Sequence, residues 1–172
     1  MVMIREYRDH ELEHIRTQRV KAYEEHASRL PSAHWEALKQ AISSAADVDE
    51  GAELFVAEVD GDIVGSVVLC PENTDAYKGL TGMSEFPEIR MLAVAPRARG
   101  KGVARKLIQT CIDLTRECEH KAIGLHTGDF MEQAMALYTK MGFERLAEYD
   151  FEPAGDGIIV KAFRYVIPES NE

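Results

Sequence analysis

Residues 88–111 read EIRMLAVAPRARGKGVARKLIQTC. An apolar run ends at Pro96, a knot of Arg, Lys and Gly follows, and an amphipathic pattern begins at Val103. The run 88–94 predicts a strand. Val103, Leu107, Ile108, Cys111, Ile112, Thr115 and Cys118 recur with helical spacing and predict a helix over 103–119 with one apolar stripe. Between them, Arg97 to Lys106 hold five cations and no acid, in a chain whose formal net charge is −10. Three requirements of anion binding meet there. A helix start offers backbone N–H groups with no intrahelical acceptor and a favourable dipole. Gly100 and Gly102 let the backbone approach an anion closely. Arginine adds paired donors matched to phosphate oxygens. The same residues also suit a solvated surface turn whose glycines only shape the chain.

Working outward, Met3 to Tyr7 reads as a short first strand, and Asp9 as the N-cap of a helix carrying Leu12, Ile15, Arg16, Arg19, Val20 and Tyr23. A second helix restarts near Ala33 with Trp35, Leu38 and Ile42 on one side. Strands at 54–59 and 63–70 flank Asp60-Gly61, a hairpin turn signal, and 71–84 reads as a loop. Downstream come a strand at 122–127, a helix at 131–141 ended by Gly142, and strands at 145–151 and 158–166. An antiparallel meander feeding a strand–helix–strand crossover makes an α+β domain with a mixed sheet. With 172 residues, no repeat and no linker, one domain is expected over 1–172.

Composition removes several function classes. Hydrophobic residues make up 45% and charged residues 29%, the balance of a folded globular chain. No apolar run approaches the roughly 18 residues of a membrane span, and the N-terminus lacks the apolar core of a signal peptide. Cytosolic residence without membrane association follows as the expectation. Cys70, Cys111 and Cys118 are odd in number with no CxxC, so neither a disulfide framework nor a zinc site is indicated. Nucleic-acid binding calls for a broad basic face. One compact basic spot on an acidic chain suits a small polyanion instead. Neither standard phosphate motif is present: GxxxxGK[ST] is absent, and a GxGxxG begun at Gly100 would need its third glycine at Arg105.

Around this spot the chain resembles the GNAT superfamily of N-acetyltransferases. The family's pyrophosphate motif [QR]-x-x-G-x-[GA] is matched by Arg99, Gly102 and Ala104, and a second family segment appears as ALYTKMGF at 136–143. The resemblance implies a GNAT-like fold: a mostly antiparallel mixed sheet of about six to seven strands with a splayed parallel pair, flanked by about four helices. It implies acetyl-CoA as co-substrate and an amine as acceptor, with no metal. Backbone N–H groups of Arg99, Gly100, Lys101, Gly102, Val103 and Ala104 would take the pyrophosphate. Leu92, Ala93 and Val94 would bind the pantetheine arm, with the Leu92 N–H polarising the thioester carbonyl. Tyr138 matches the family's tyrosine acid near the sulfur, or packs as an aromatic beside Leu137. Glu88 stands where some members carry a base. The alternatives for it are a pair with Arg90 or solvent exposure. One departure stands out: the asparagine that often precedes the tyrosine by seven residues is Met131 here, with Asp129 or backbone groups as substitutes.

Other candidates read as structural. His10 and His14 share a helix face without a third ligand, and His126 reads as a strand histidine that could touch substrate. Trp35 could wall an acceptor pocket or pack in the core. Glu72, Asp75, Glu85 and Glu88 would make an acidic mouth suited to a cationic primary amine, although the whole chain is acidic. Homodimers are common in the family the chain resembles, and nothing in the sequence marks a contact surface. An idle acyl-CoA sensor and a nucleotide-binding module are the alternative functions.

Overall fold

The computed structural model describes residues 1–72 and 85–169. Most of the expected loop, including Asp75, lies outside the described residues. Eleven regular elements follow in order: β1 (Val2–Glu6), α1 (Leu12–Tyr23), α2 (Ser32–Ser43), β2 (Glu53–Val59), β3 (Asp62–Cys70), β4 (Glu88–Val94), α3 (Val103–Glu117), β5 (Ala122–Gly128), α4 (Glu132–Met141), β6 (Glu144–Arg145) and β7 (Val160–Val166). Short 3-10 turns join several of them. The strands form one seven-stranded mixed sheet in the order β1-β2-β3-β4-β5-β7-β6. Its parallel pair, β4 and β5, is registered through Glu88 with Gly124 and Ile89 with Leu125. The α+β class, the strand number and the four helices match expectation.

Two compact units make up the chain, Met1–Leu69 with Arg90–Thr110, and Cys70–Ile89 with Cys111–Glu172. In the first, β1 and β3 pair antiparallel with β2. Asp60 (φ 51°) and Gly61 (φ 86°) are both left-handed at the β2–β3 turn, as a tight two-residue hairpin requires. The core gathers Ile15, Val56, Val67 and Leu107, all fully buried. Beneath α1 lies a buried ion cluster. Arg16 grips Asp47 through two bonds of 3.1 and 2.8 Å. Arg19, with no exposed surface, reaches the Ile42 carbonyl at 2.7 Å and Asp47 at 3.0 Å. Burial alone would raise the Asp47 pKa, but the two guanidinium groups outweigh it and hold the carboxyl below its usual range. The cluster ties α1 to the end of α2 and the turn after it.

In the second unit β5 and β6 pair antiparallel with β7. Ile112, Ile123, Leu125, Phe143 and Phe163 are buried there. α4 ends as expected at Gly142 (φ 102°), whose left-handed turn lets the Phe143 N–H reach the Tyr138 carbonyl at 2.9 Å.

Three local expectations need correction. Asp9 is not an N-cap: Asp9–Glu11 form a 3-10 turn, and the Glu11 carboxylate accepts from the Arg8 N–H at 2.8 Å. Glu11 can do so because Arg5 already anchors it through two bonds. The strand expected at 145–151 shrinks to Glu144–Arg145, because the chain turns at Ala147–Tyr149 and rejoins by a single bridge from Phe151 to Val160. Cys118 is exposed, since α3 ends at Glu117, whereas Cys111 is fully buried as the stripe predicts.

Candidate active site

The glycine loop belongs wholly to the first unit. β4 carries a left-handed residue, Met91 (φ 53°), in its middle. For a non-glycine side chain this is an uncommon conformation, the mark of a local break in strand geometry. After Ala95, whose N–H bonds the Val64 carbonyl at 2.8 Å, Pro96 opens a single 3-10 turn. Gly100 (φ 76°) and Gly102 (φ 79°) then turn the chain into α3. A Cβ added to either would meet nothing within 4 Å, so backbone conformation and not crowding calls for glycine, and the space beside them is open. The Lys106 N–H bonds the Gly102 carbonyl at 3.1 Å, which leaves the Val103, Ala104 and Arg105 N–H groups ahead of that first helical bond. The start of α3 is drawn close to β3 and β4 by Gly65, where a Cβ would lie 2.9 Å from the Ala93 carbonyl and 3.2 Å from Val103.

The five cations divide. Arg99 turns inward: it pairs with Glu25, donates to the Ala22 carbonyl at 3.2 Å and lies 3.4 Å from the Val94 carbonyl. Its guanidinium therefore clamps the loop to the end of α1. Arg97, Lys101, Arg105 and Lys106 are exposed around the glycines. A second clamp was not legible from the sequence: the Tyr23 hydroxyl donates to the Leu92 carbonyl at 3.0 Å. Burial pushes the Tyr23 pKa up to about 12, so the hydroxyl keeps its proton and its donor role at neutral pH. In the sequence Tyr23 showed only as one more apolar position of a helix.

The second unit holds Glu88 and Tyr138. Glu88 is 6% exposed, so solvent exposure is ruled out for it. Its Oε1 lies 3.6 Å from Nδ1 of His126. Tyr138 is buried, with ring centroids 5.7 Å from Phe143 and 6.1 Å from Phe163. Phe163 is registered with Leu125, and Glu88 with Gly124, the adjacent residue on β5. Side chains alternate along a strand. Tyr138 therefore packs against one face of this part of the sheet and Glu88 points to the other.

Met131 sits just before α4, 3.5 Å from the Thr127 hydroxyl through its sulfur. Asp129, a suggested stand-in for the missing asparagine, has a carboxylate oxygen accepting from the Ile159 N–H at 3.1 Å. His10 and His14 are exposed, and Trp35 is half-buried. Among the described residues no group of three His, Cys, Asp or Glu could hold a metal, and no helix is long and apolar enough to cross a membrane.

A strand broken by a left-handed residue, two left-handed glycines and a helix start with exposed cations around it stand together in this loop. The model of the Acetyltransferase (GNAT) family matches residues 10–143. The chain belongs to the GNAT family. The Escherichia coli K12 protein named Uncharacterized N-acetyltransferase YjgM is 34% identical over 97 residues, 56% of this chain and 53% of that protein. The chain spans about half the length, or less, of the curated relatives it matches. A GNAT-family acetyltransferase of Staphylococcus aureus Mu50 superposes with a TM-score of 0.72 at 16% identity, covering 98% of this chain and 100% of that one. The yncA acetyltransferase of Salmonella typhimurium, solved with its cofactor acetyl-CoA, gives 0.65 at 18% identity over 100% and 97% of the two chains. These likenesses show that the fold is shared.

Proposed function

We propose that residues 1–172 act as one acetyltransferase domain that transfers acetyl from acetyl-CoA to a primary amine by direct attack. The observation that carries this reading is the GNAT glycine loop, with Gly100 and Gly102 left-handed and open space where each side chain would stand. Acetyl-CoA fits that loop in chemistry. Its pyrophosphate would accept from N–H groups between Arg99 and Ala104, with Arg97, Lys101, Arg105 and Lys106 supplying countercharge, since Arg99 itself is engaged with Glu25. Acetyl-CoA supplies an activated acetyl group, which ends as an amide while the thiol is released.

The chain's own residues would then manage charge and protons. An alkylammonium has a pKa near about 10 and cannot attack until it loses a proton. Glu88 takes that proton. The Leu92 N–H, on the residue whose carbonyl Tyr23 holds, stabilises the oxyanion, with Ala93 and Val94 holding the pantetheine arm. Tyr138 donates to the departing sulfur, and the second amine proton leaves as the amide forms. That Glu88 and Tyr138 lie on opposite faces of the sheet supports this division, with amine on one side and thiol on the other. Cys70, Cys111 and Cys118 form no disulfide among the described residues, which suits a reducing cytosol.

A thermal melt with acetyl-CoA, with NAD and ATP as controls, tests the binding half. Ligand at 100 times its Kd adds about 2.7 kcal/mol, and at roughly 2–4 °C per kcal/mol the shift is about 5–10 °C. A rise with ATP alone would make the loop a nucleotide site. Thiol release with a panel of primary amines tests the catalytic half; binding without release would mark an acyl-CoA sensor.

A further inference from the structure

Glu88 and His126 are buried together, their side chains 8% and 6% exposed. The face they share is built by register. Gly124 stands between Glu88 on β4 and Arg164 on β7, and His126 lies two residues further along β5. Having no side chain, Gly124 admits the Phe86 ring, whose Cε2 would sit 2.7 Å from a Cβ there. The Phe151 ring lies 5.5 Å from the imidazole. Phe151 packs beside the histidine and Phe86 over Gly124, and the low exposure of the acid and the histidine strengthens their mutual field. Among the described residues of this unit, register puts Glu88, His126, Arg164 and Glu144, the last paired with Arg164, on this face.

The two carboxylate oxygens of Glu88 are unlike. Oε1 faces His126 Nδ1 at 3.6 Å, an ion-pair distance a little beyond a direct hydrogen bond. Oε2 is buried and has no hydrogen-bond partner among the described residues. A buried carboxylate oxygen without a donor is costly unless something arrives to fill it. We propose that His126 is a positioning residue for the base: its Nδ1–H holds Oε1, which fixes the carboxylate so that Oε2 meets the acceptor's ammonium and takes its proton. Apo distances of this kind commonly tighten when substrate binds. The inference rests on the acetyl-transfer reading, because it needs Glu88 to act as a base.

Two measurements test it. In 15N spectra of the His126 ring at pH 7, Nδ1 bears a proton in the wild type and loses it in Glu88→Ala, since the partner of one ring nitrogen decides which carries hydrogen. A bare Nδ1 in the wild type, or no change on substitution, overturns the pairing. In steady-state assays with acetyl-CoA and whichever amine of the panel is turned over, His126→Phe lowers kcat roughly ten- to a hundredfold, a part of what a general base supplies. The KM for acetyl-CoA stays within about twofold. His126→Asn, which keeps an N–H near the Nδ1 position, recovers kcat to within about threefold. Equal defects in the Phe and Asn variants would reduce His126 to a packing residue. A slow His126→Phe beside an unimpaired Glu88→Gln would overturn the base-positioning role and leave acetyl transfer standing. A wild-type protein that acetylates no amine would remove the acetyl-transfer reading and the positioning role with it, while the spectra still report whether the pair exists.

Discussion

Gly102 concentrates two demands in one residue. Its φ of 79° strains any L side chain, and the open space beside it is where an anion would lie. Gly102→Ala should cost about 1–2 kcal/mol of stability from backbone strain and keep most of the acetyl-CoA melting shift. Gly102→Glu adds a negative charge at the cradle and should abolish the shift in a protein that still melts cooperatively. A retained shift would move the cofactor elsewhere. Tyr138→Phe deletes one hydroxyl from a ring packed between Phe143 and Phe163, so the fold should hold. We expect kcat to fall about a hundredfold with KM for acetyl-CoA little changed; wild-type turnover would end its role as the acid. At this scale the two glycines were legible, because turn chemistry is local. Tyr23 and His126 were not, because their partners stand on strands far along the chain.

Among the elements, α1 is the hub of the first unit. Arg19 and Asp47 secure its buried side, and Tyr23 and its neighbours tie its end to β4 and the glycine loop. Arg19 already has two guanidinium nitrogens, Nε and Nη2, with no hydrogen-bond partner among the described residues. Asp47→Asn would leave its charge buried without a counter-charge and should destabilise by roughly 3–5 kcal/mol. A differential scanning calorimetry melt would show this as a fall of about 6–20 °C. A drop of only a degree or two would mean that the cluster is hydrated and weak. Tyr23→Phe should unpin the Leu92 carbonyl at a cost of about 1–3 kcal/mol, lowering kcat more than acetyl-CoA affinity. The helices themselves were legible from apolar spacing. The ion cluster was not, since Arg16 and Arg19 read only as positions on the helix spacing and their partner Asp47 lies 31 and 28 residues away.

For the whole molecule, the ion pairs set the acid limit. Arg5 holds the Glu11 carboxyl down to about 2, and Arg145 keeps Asp150 below its usual range, as the arginines do for Asp47. A carboxyl with a depressed folded-state pKa stabilises fully above its unfolded value, near about 4, and loses that contribution as pH falls toward the folded value. The contribution of these carboxyls to the Tm should therefore be intact from pH 7 to about 5, decline below about 4.5, and still be falling near pH 2. Glu11→Gln should remove part of that slope, and an unchanged acid profile would show that Glu11 is not responsible. Periodicity, turn glycines and the two family segments were enough to determine the order of elements, the α+β class and the glycine loop, because those signals act between residues a few places apart. Tertiary structure alone decided that Arg99 faces Glu25, that Tyr23 holds Leu92, and that Glu88 is buried 3.6 Å from His126. Each of those contacts depends on strand register or helix docking, and burial changes what a charged side chain can do only after the chain has closed around it.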